Sequence, residues 1–421
     1  MNVSRAFTFV ACSTFLIPVN YSWIFNFQAY GLILILLIGS LTARGKLIYE
    51  FRLNIQLLAL ALIVLISTLL NLVDYNLYGI QLIKTSTLGV ATLCLFILSH
   101  SFIKAAGVSE RDKMNFLFMA ILAGGFNAFY TNLHWLATTG GVISRYNYTP
   151  PISGSNGIQL YYMIFTMLFS FVFIQLKCET SPKRLLIVRT MATIAFFNML
   201  TIIVREVWLI FLITLIMFWY INSSKSSAYK NRVALLLFLV IILGFVMALS
   251  KLDLLSDIIN ADGNRDASST MIRVALIAES IDLFLKNPLF GIGYGSFPLH
   301  SNLVVTLSGG TQVEVNSPHN GLILIVTELG LFGLLIVATS CIKVLQQLRI
   351  AYNNKTQRVS SVFASMSYSI TFLLFLDQFI SNSFVLPPPT ERGAVQLSFL
   401  FWIFFSFAIS YKGLTGQKNA Q

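Results

Sequence analysis

The sequence predicts an all-α integral membrane protein, and three observations support this class. Hydrophobic residues make up 56% of the 421 residues and charged residues only 10%, whereas about a quarter of a soluble domain is charged. The mean hydropathy is +0.78. Apolar runs recur along the chain at about the 20 residues that a helix needs to cross the hydrocarbon core of a bilayer.

Twelve of these runs are predicted to be transmembrane helices. No cleavage site of the signal-peptide type separates the first from the second, so we expect the first helix to be retained. The predicted spans are 5–19, 22–43, 53–73, 80–102, 114–137, 158–176, 185–203, 207–222, 233–250, 319–342, 359–385 and 394–411.

The basic residues predict the orientation of these spans. With twelve helices, nineteen of the 28 Lys and Arg residues fall on the side that carries both termini, and seven fall on the other side. The positive-inside rule therefore places both termini in the cytoplasm. The net charge of +12 is explained by this bias, and no soluble module offers a basic face for nucleic acid.

The chain divides into helices 1–9 over residues 1–250, an outer loop over 251–318, and helices 10–12 over 319–421. Within the loop, an amphipathic helix is predicted over about 268–286. The segment "NPLFGIGYGSF" that follows breaks this helix. Its glycines follow no strand, which favours a turn over a nucleotide-binding loop.

Neither a disulfide framework nor a metal centre is expected. Cys12, Cys94, Cys178 and Cys341 lie in or beside predicted spans without paired spacing. The acidic residues of the outer loop lack the spacing of metal ligands and are better explained as a solvated face.

His319 heads the tenth span in "VNSPHNGLILIVTELGLFGLLI". Ser317 fits the N-cap and Pro318 the first helical position, which would place His319 in the first turn. The positive end of the helix dipole disfavours imidazolium there, so a neutral histidine at the outer surface suits a general base. An interfacial histidine that only caps the helix is the alternative.

Two arginines are predicted on the same outer side. Arg205, with Glu206 beside it, falls in a gap of about three residues between spans seven and eight, and Arg273 lies on the amphipathic helix. Two guanidinium groups can hold a diphosphate through bidentate hydrogen bonds. Ion pairing with neighbouring acids is the structural alternative for each.

Three motifs together resemble the superfamily of O-antigen ligases and polysaccharide polymerases. They are "R-x-x-W-L" at Arg205, "NPLFGIGYGSF" after the Arg273 helix, and "PHN" at His319 followed after nine residues by Gly330-Leu-Phe-Gly333. The resemblance covers roughly residues 190–340. Two departures are that Ile277 stands where ligases often have leucine, and that the outer loop is short for a ligase.

The resemblance implies a GT-C-like, inverting glycosyltransferase of the bacterial inner membrane with a periplasmic active site and no cofactor or metal. The donor would be a glycan on undecaprenyl diphosphate, held by Arg205 and Arg273, with Glu206 in support. His319, supported by Asn320, would act on the hydroxyl of an acceptor, either lipid A–core or a growing glycan. Membrane lipids and a chain-length regulator are the other implied partners.

Charged residues inside the spans leave other functions open. Glu328 lies about 13.5 Å below His319 on the opposite helix face, too deep for the outer site. Structural pairing is expected for it, with Lys84 or Arg189, and for Asp377. The same four residues would form the relay of a proton-coupled transporter, the main alternative. A structural membrane subunit would leave Arg205, Arg273 and His319 unexplained.

Overall fold

The computed structural model describes ten segments of several residues, and these are helical except for short loops and one hairpin. They are 51–72, 109–141, 156–176, 181–201, 205–222, 265–301, 304–306, 312–314, 320–353 and 358–377, together with 150–151, 405–406 and isolated positions between 83 and 97.

The helices of the described segments are, in chain order, α1 Phe51–Leu72, α2 Glu110–Thr139, α3 Asn156–Gln175, α4 Pro182–Thr201, α5 Arg205–Asn222, α6 Arg265–Lys286, α7 Phe297–His300, α8 Gly321–Asn353 and α9 Arg358–Asp377. A short antiparallel hairpin joins β1 Val304–Thr306 to β2 Gln312–Glu314, with Val305 opposite Val313.

Seven predicted spans coincide with α1 to α5, α8 and α9, mostly to within a few residues. Among the described helices, α2, α4 and α8 are long and apolar enough to cross a membrane, and shorter apolar helices run over Leu58–Asn71 and Gln159–Gln175. The helical membrane class is thus supported. The predicted spans 5–19, 22–43 and 233–250 lie outside the described residues, as do 80–102 and 394–411 apart from a few positions, so the total of twelve stays a prediction.

The described helices pack in two groups that share one apolar core. Helices α2, α3 and α4 contact one another pairwise, while α8 packs on α1 and α9, and α9 packs on α5. Residues such as Tyr162, Phe169 and Phe363 are almost fully buried in this core. Leu133, Phe197 and Leu335 are at least 47% exposed, as expected for side chains that face lipid.

A polar network lies inside the first group. Gln159 of α3 donates from Nε2 to Asn127 Oδ1 at 2.8 Å, Asn198 Oδ1 at 3.1 Å and Thr131 Oγ1 at 3.3 Å. Asn198 in turn donates to Asn132 Oδ1 at 2.7 Å. These side chains are buried, so each bond joins helices where water is excluded. We call this set the amide network.

The predicted amphipathic helix is present as α6, and it begins at Arg265 instead of about residue 268. One face is buried through Leu276 and Ser280, whereas the apolar side chains of Val274, Ile281 and Leu285 remain exposed. Leu276 belongs to a small core of its own that contains Ile292, Phe297 and Leu324. Helix α6, the loop after it and the start of α8 therefore pack as one unit.

Candidate active site

Helix α8 is interrupted at Gly330, one-third of the way along it. The backbone there has φ 67° and ψ −166°, far from helical values and in a region that essentially only glycine adopts. In a continuous helix, the N–H groups of Leu331 and Phe332 would bond to the carbonyls of Thr327 and Glu328, four residues earlier. The interruption breaks these two bonds and leaves four backbone groups in need of partners.

The segment 288–293, within "NPLFGIGYGSF", supplies all four partners. The bonds run from Ile292 N to Thr327 O at 3.0 Å, from Gly293 N to Glu328 O at 3.0 Å, from Leu331 N to Pro288 O at 2.9 Å and from Phe332 N to Leu289 O at 3.3 Å. Unpaired backbone groups cost several kcal/mol each inside a membrane, so a break in a spanning helix requires such a substitute. We call residues 288–297 with 327–332 the loop–helix junction.

Two glycines allow this close approach. A Cβ on Gly291 would lie 2.3 Å from the carbonyl carbon of Glu328, and a Cβ on Gly330 would lie 2.3 Å from the carbonyl oxygen of Leu289. Both glycines also have positive φ, at 68° and 67°. From the sequence alone, Gly330 and Gly333, one turn apart, predict a close approach between two helices. At Gly330 the element in close contact is the loop 288–293, whose backbone exchanges hydrogen bonds with α8. A second helix could not do this, because its own backbone groups are already bonded within the helix.

Helix α1 fixes the junction from its other side. The hydroxyl of Ser67 contacts the carbonyl oxygens of Phe290 at 2.6 Å and Glu328 at 3.1 Å. Asn71, one turn further on, donates from Nδ2 to Gly291 O at 3.2 Å and to Ser67 O at 2.7 Å. Both side chains are buried. Sequence reasoning did not identify these residues, since one serine and one asparagine in an apolar helix carry no recognisable spacing.

Among the described residues, the carboxylate of Glu328 binds backbone N–H groups of the loop and no basic side chain. Its Oε1 accepts the backbone N–H of Phe297 at 3.2 Å, and the carboxylate also accepts the backbone N–H of Gly295. Glu328 is 3% exposed, whereas Arg189, a predicted partner, is exposed on α4. Lys84 and the side chain of Asp377 lie outside the described residues. The predicted structural role is supported, but the partners are backbone amides of the loop after α6.

The loop therefore reaches deeper than the sequence suggested. Glu328 lies eight residues after Asn320, which corresponds to about 12 Å along α8. Gly295 and Phe297 nevertheless contact it. The sequence predicts that Glu328 lies too deep to share the site of His319, and this stays a prediction. The loop segment contacts Glu328 because it folds inward beside the third turn of α8.

Helix α8 begins two residues later than predicted. Asn320 is its N-cap, since Asn320 Oδ1 accepts the N–H of Ile323 at 3.0 Å and its carbonyl accepts the N–H of Leu324 at 2.9 Å. The assignment of Ser317 as the N-cap was thus wrong, and His319 precedes the helix instead of lying in its first turn. Asparagine is as good an N-cap as serine, so the local sequence allowed both. Ser317, Pro318 and His319 themselves lie outside the described residues.

The two arginines are placed by their backbones. Arg205 is the first residue of α5, with Glu206 next to it, and Arg273 lies in the third turn of the long helix α6. Their side chains lie outside the described part, so the predicted diphosphate clamp stays a prediction. Leu276, one turn after Arg273, packs with Leu324, one turn after the N-cap of α8. The backbone thus brings the Arg273 helix against the His319 end of α8.

Two titratable side chains, Tyr294 and His300, lie in the junction and just after it. Burial raises the pKa of the Tyr294 phenol well above its usual value, and the Glu328 carboxylate adds to this. Burial lowers the pKa of His300 below 6.5, although contact of its Nδ1 with Ser296 O at 3.0 Å opposes the change. Nearby, Ser301 donates to Glu279 Oε2 at 2.9 Å. His300 is therefore held mostly neutral at pH 7.

Within the residues that the structure describes, no group of three or more His, Cys, Asp or Glu side chains is arranged to hold a metal ion. Asp282 is instead paired with Lys286 at 2.6 Å on the exposed side of α6. Cys341 is a free thiol, and the other three cysteines lie outside the described residues.

Fold and site together indicate a helical membrane protein with a broken span that is completed by the loop after α6. Over residues 190–338, the chain matches the family model described as O-antigen ligase. This confirms, over that segment, the resemblance to the O-antigen ligase and polymerase superfamily. No curated protein matches the chain significantly. The matched segment includes Arg205, Arg273, His319 and both sides of the junction, and it supports a role in glycan transfer for a bacterial surface polysaccharide.

Proposed function

We propose that the protein is a periplasm-facing glycosyltransferase that moves a glycan from undecaprenyl diphosphate to an acceptor hydroxyl, as an O-antigen ligase or polymerase. The observation that carries the proposal is the family match over 190–338. The packing of α6 on α8 supports it, because it joins the Arg273 helix to the end of α8 that His319 precedes.

Arg205 and Arg273 would bind the donor diphosphate. In the reaction, the bond between the anomeric carbon and the diphosphate oxygen breaks, and the diphosphate leaves with the electron pair. Guanidinium groups stabilise the charge that develops on the leaving oxygens by bidentate hydrogen bonds. They would take the part that a divalent metal plays in many soluble transferases, so we expect transfer to persist in excess EDTA. Loss of transfer that added Mg²⁺ restores would contradict this.

His319 would act on the acceptor. As a neutral imidazole it would take the proton of the acceptor hydroxyl while that oxygen attacks the anomeric carbon from the face opposite the diphosphate, which inverts the configuration. A positioned general base contributes about 10²–10⁴-fold to a rate. Asn320 caps α8 directly after it, which supports a fixed place for this end of the helix.

The proposed active site faces the periplasm of the inner membrane, and both termini face the cytoplasm. This orientation follows from the distribution of basic residues. Single cysteines at positions 320 and 225, in a chain without its native cysteines, can test it with a maleimide that does not cross the membrane. We expect labelling from outside at 320 only, and the reverse pattern would exclude the site.

The decisive variant is Arg273→Lys. Lysine keeps the charge but loses the planar fork of donors, so a diphosphate-binding arginine cannot be replaced without strong loss of transfer, on the order of tenfold or more. An arginine in an exposed ion pair, worth about 0–1 kcal/mol, can be replaced. Transfer from a polyprenyl-diphosphate donor should be measured beside Arg265→Lys, the same substitution at the start of the same helix.

Near-normal transfer by Arg273→Lys at normal protein level would contradict the diphosphate clamp. Arg205→Lys should behave like Arg273→Lys, and the double variant should be non-additive if both side chains hold one diphosphate. His319→Ala should abolish transfer and leave donor binding intact.

Lipopolysaccharide from a deletion strain separates ligase from polymerase activity. Absence of O-chain with accumulated polymer indicates a ligase, and a single-repeat band indicates a polymerase.

A further inference from the structure

Glu328 has a place in the fold that the proposed chemistry does not use. It is a carboxylate buried inside a spanning helix, where a charged side chain is costly and requires hydrogen-bonded partners. Its partners are the backbone N–H groups of Gly295 and Phe297. A carboxylate that accepts such bonds forms charge-assisted hydrogen bonds, about twice as strong as neutral ones.

The geometry of the loop explains why backbone amides can bind this carboxylate. Gly291, Gly293 and Gly295 all have positive φ, at 68°, 105° and 75°, and alternate with other residues. Such alternation turns backbone N–H groups toward one side and produces a concavity that binds anions. The N–H groups of Ile292 and Gly293 bind carbonyls of α8, and the later ones bind the Glu328 carboxylate.

The same contact lies directly against the Arg273 helix. Phe297, whose N–H binds Glu328, is fully buried against Leu276 of α6 and Leu324 of α8. Leu276 lies one turn after Arg273. Thr327, the residue before Glu328, donates from Oγ1 to Ser280 O at 3.2 Å, one turn further along α6. Displacing Phe297 would therefore open the core that holds α6 at the level of Arg273.

We propose that Glu328 is a positioning residue for the donor: through the amides of Gly295 and Phe297, it fixes the distance between the Arg273 helix and the His319 end of α8. Its side chain touches neither substrate. The inference rests on the proposed function, since it assigns Glu328 to the binding of the lipid diphosphate by Arg273.

Glu328→Gln tests this proposal. Glutamine keeps the size of the side chain but loses its negative charge, and its amide NH₂ places a donor opposite the backbone N–H donors of Gly295 and Phe297. With purified full-length protein, we expect the KM for a polyprenyl-diphosphate-linked glycan to rise about tenfold and the KM for the acceptor to stay unchanged. A carboxylate that only stabilises the fold would reduce the amount of active protein, and so the apparent kcat, and leave both KM values unchanged. Asp282→Asn, which removes an exposed carboxylate of α6, should change neither.

Hydrogen–deuterium exchange measures the loop independently of the reaction. Peptides that cover 291–300 should exchange faster in Glu328→Gln than in the wild type, while α2 to α4 should not change. If glutamine prevents accumulation, Glu328→Asp keeps the charge on a side chain one methylene shorter, and we expect the same effects at smaller size.

The outcomes separate the two proposals. Unchanged donor KM in an active Glu328 variant overturns the positioning role and leaves the proposed function standing. If the wild-type chain does not transfer glycan from the polyprenyl donor, the proposed function fails and the positioning role with it. Faster loop exchange would then show only that the carboxylate holds the loop.

Discussion

The amide network and the loop–helix junction are both polar regions buried among apolar helices, yet they are built in opposite ways. In the amide network, α2, α3 and α4 satisfy their own backbones, and side chains such as Gln159 and Asn198 add bonds between helices. In the junction the backbone of α8 is itself broken, and a loop backbone completes it. The network adds contacts to a finished bundle, whereas the junction is needed for the span to exist.

This difference has a functional consequence. A regular helix inside a membrane exposes no backbone groups, so it can present only side chains to a substrate. A broken helix completed by a loop brings that loop, and the helix before it, into contact with the spanning segment. The junction thus holds the helix that carries Arg273 against the start of α8.

Gly330→Ala should have the largest effect. A Cβ there meets the Leu289 carbonyl at 2.3 Å and 2.4 Å, and the backbone is in a conformation that alanine avoids. Strain and crowding together should cost about 3 kcal/mol or more, enough to prevent accumulation of folded protein. Gly140→Ala is the matched control, because Gly140 has φ 62° with no atom within 4 Å of its Cβ position.

Gly140→Ala should lose only about 1–2 kcal/mol from the positive φ. Thermal unfolding in detergent and the yield of membrane-inserted protein would measure both variants. Equal effects would mean that the close contact of loop and helix at Gly330 is unimportant, and the contrast between the two regions would collapse.

Gln159→Leu should have an intermediate effect. It removes three hydrogen bonds between helices, but each helix keeps its backbone bonds intact. Bonds of this kind between spanning helices average about 0.6 kcal/mol, so we expect a loss of about 1–2 kcal/mol. Thr193→Val serves as the control, since Thr193 is exposed and its hydroxyl donates within α4, to Arg189 O. A loss as large as that of Gly330→Ala would show that the network is equally indispensable.

The smallest effect should be a pH dependence confined to the junction side. The pKa of His300 is lowered by burial, so the unfolded chain takes up this proton at higher pH than the folded one. The contribution of neutral His300 to the free energy of unfolding is therefore present above about pH 6.5 and decreases as the pH falls below this value. Between pH 7.5 and pH 5, Tm should decrease less in His300→Gln than in the wild type. Gln159→Leu should lower Tm without changing its slope, because amides do not titrate.

The sequence by itself determined the class, the bounds of most described helices and the segment that matches the family model. Hydropathy and span length do not depend on packing partners, because each helix satisfies its own backbone in lipid. This is why α2, α3 and α5 begin and end within a few residues of their predicted positions. The motif spacing also located the segment that the family match covers.

Only the tertiary structure decided how the motifs combine. The sequence treated "NPLFGIGYGSF", Glu328 and Gly330 as separate features, and it assigned Glu328 to a basic partner and Gly330 to another helix. Side-chain chemistry suggests pairing by charge and size, whereas the actual partners are backbone groups that every residue carries. Which backbone groups pair with one another depends on where the chain folds back. The N-cap at Asn320 was decided in the same way, since the local sequence permits either asparagine or serine, and the fold selects one.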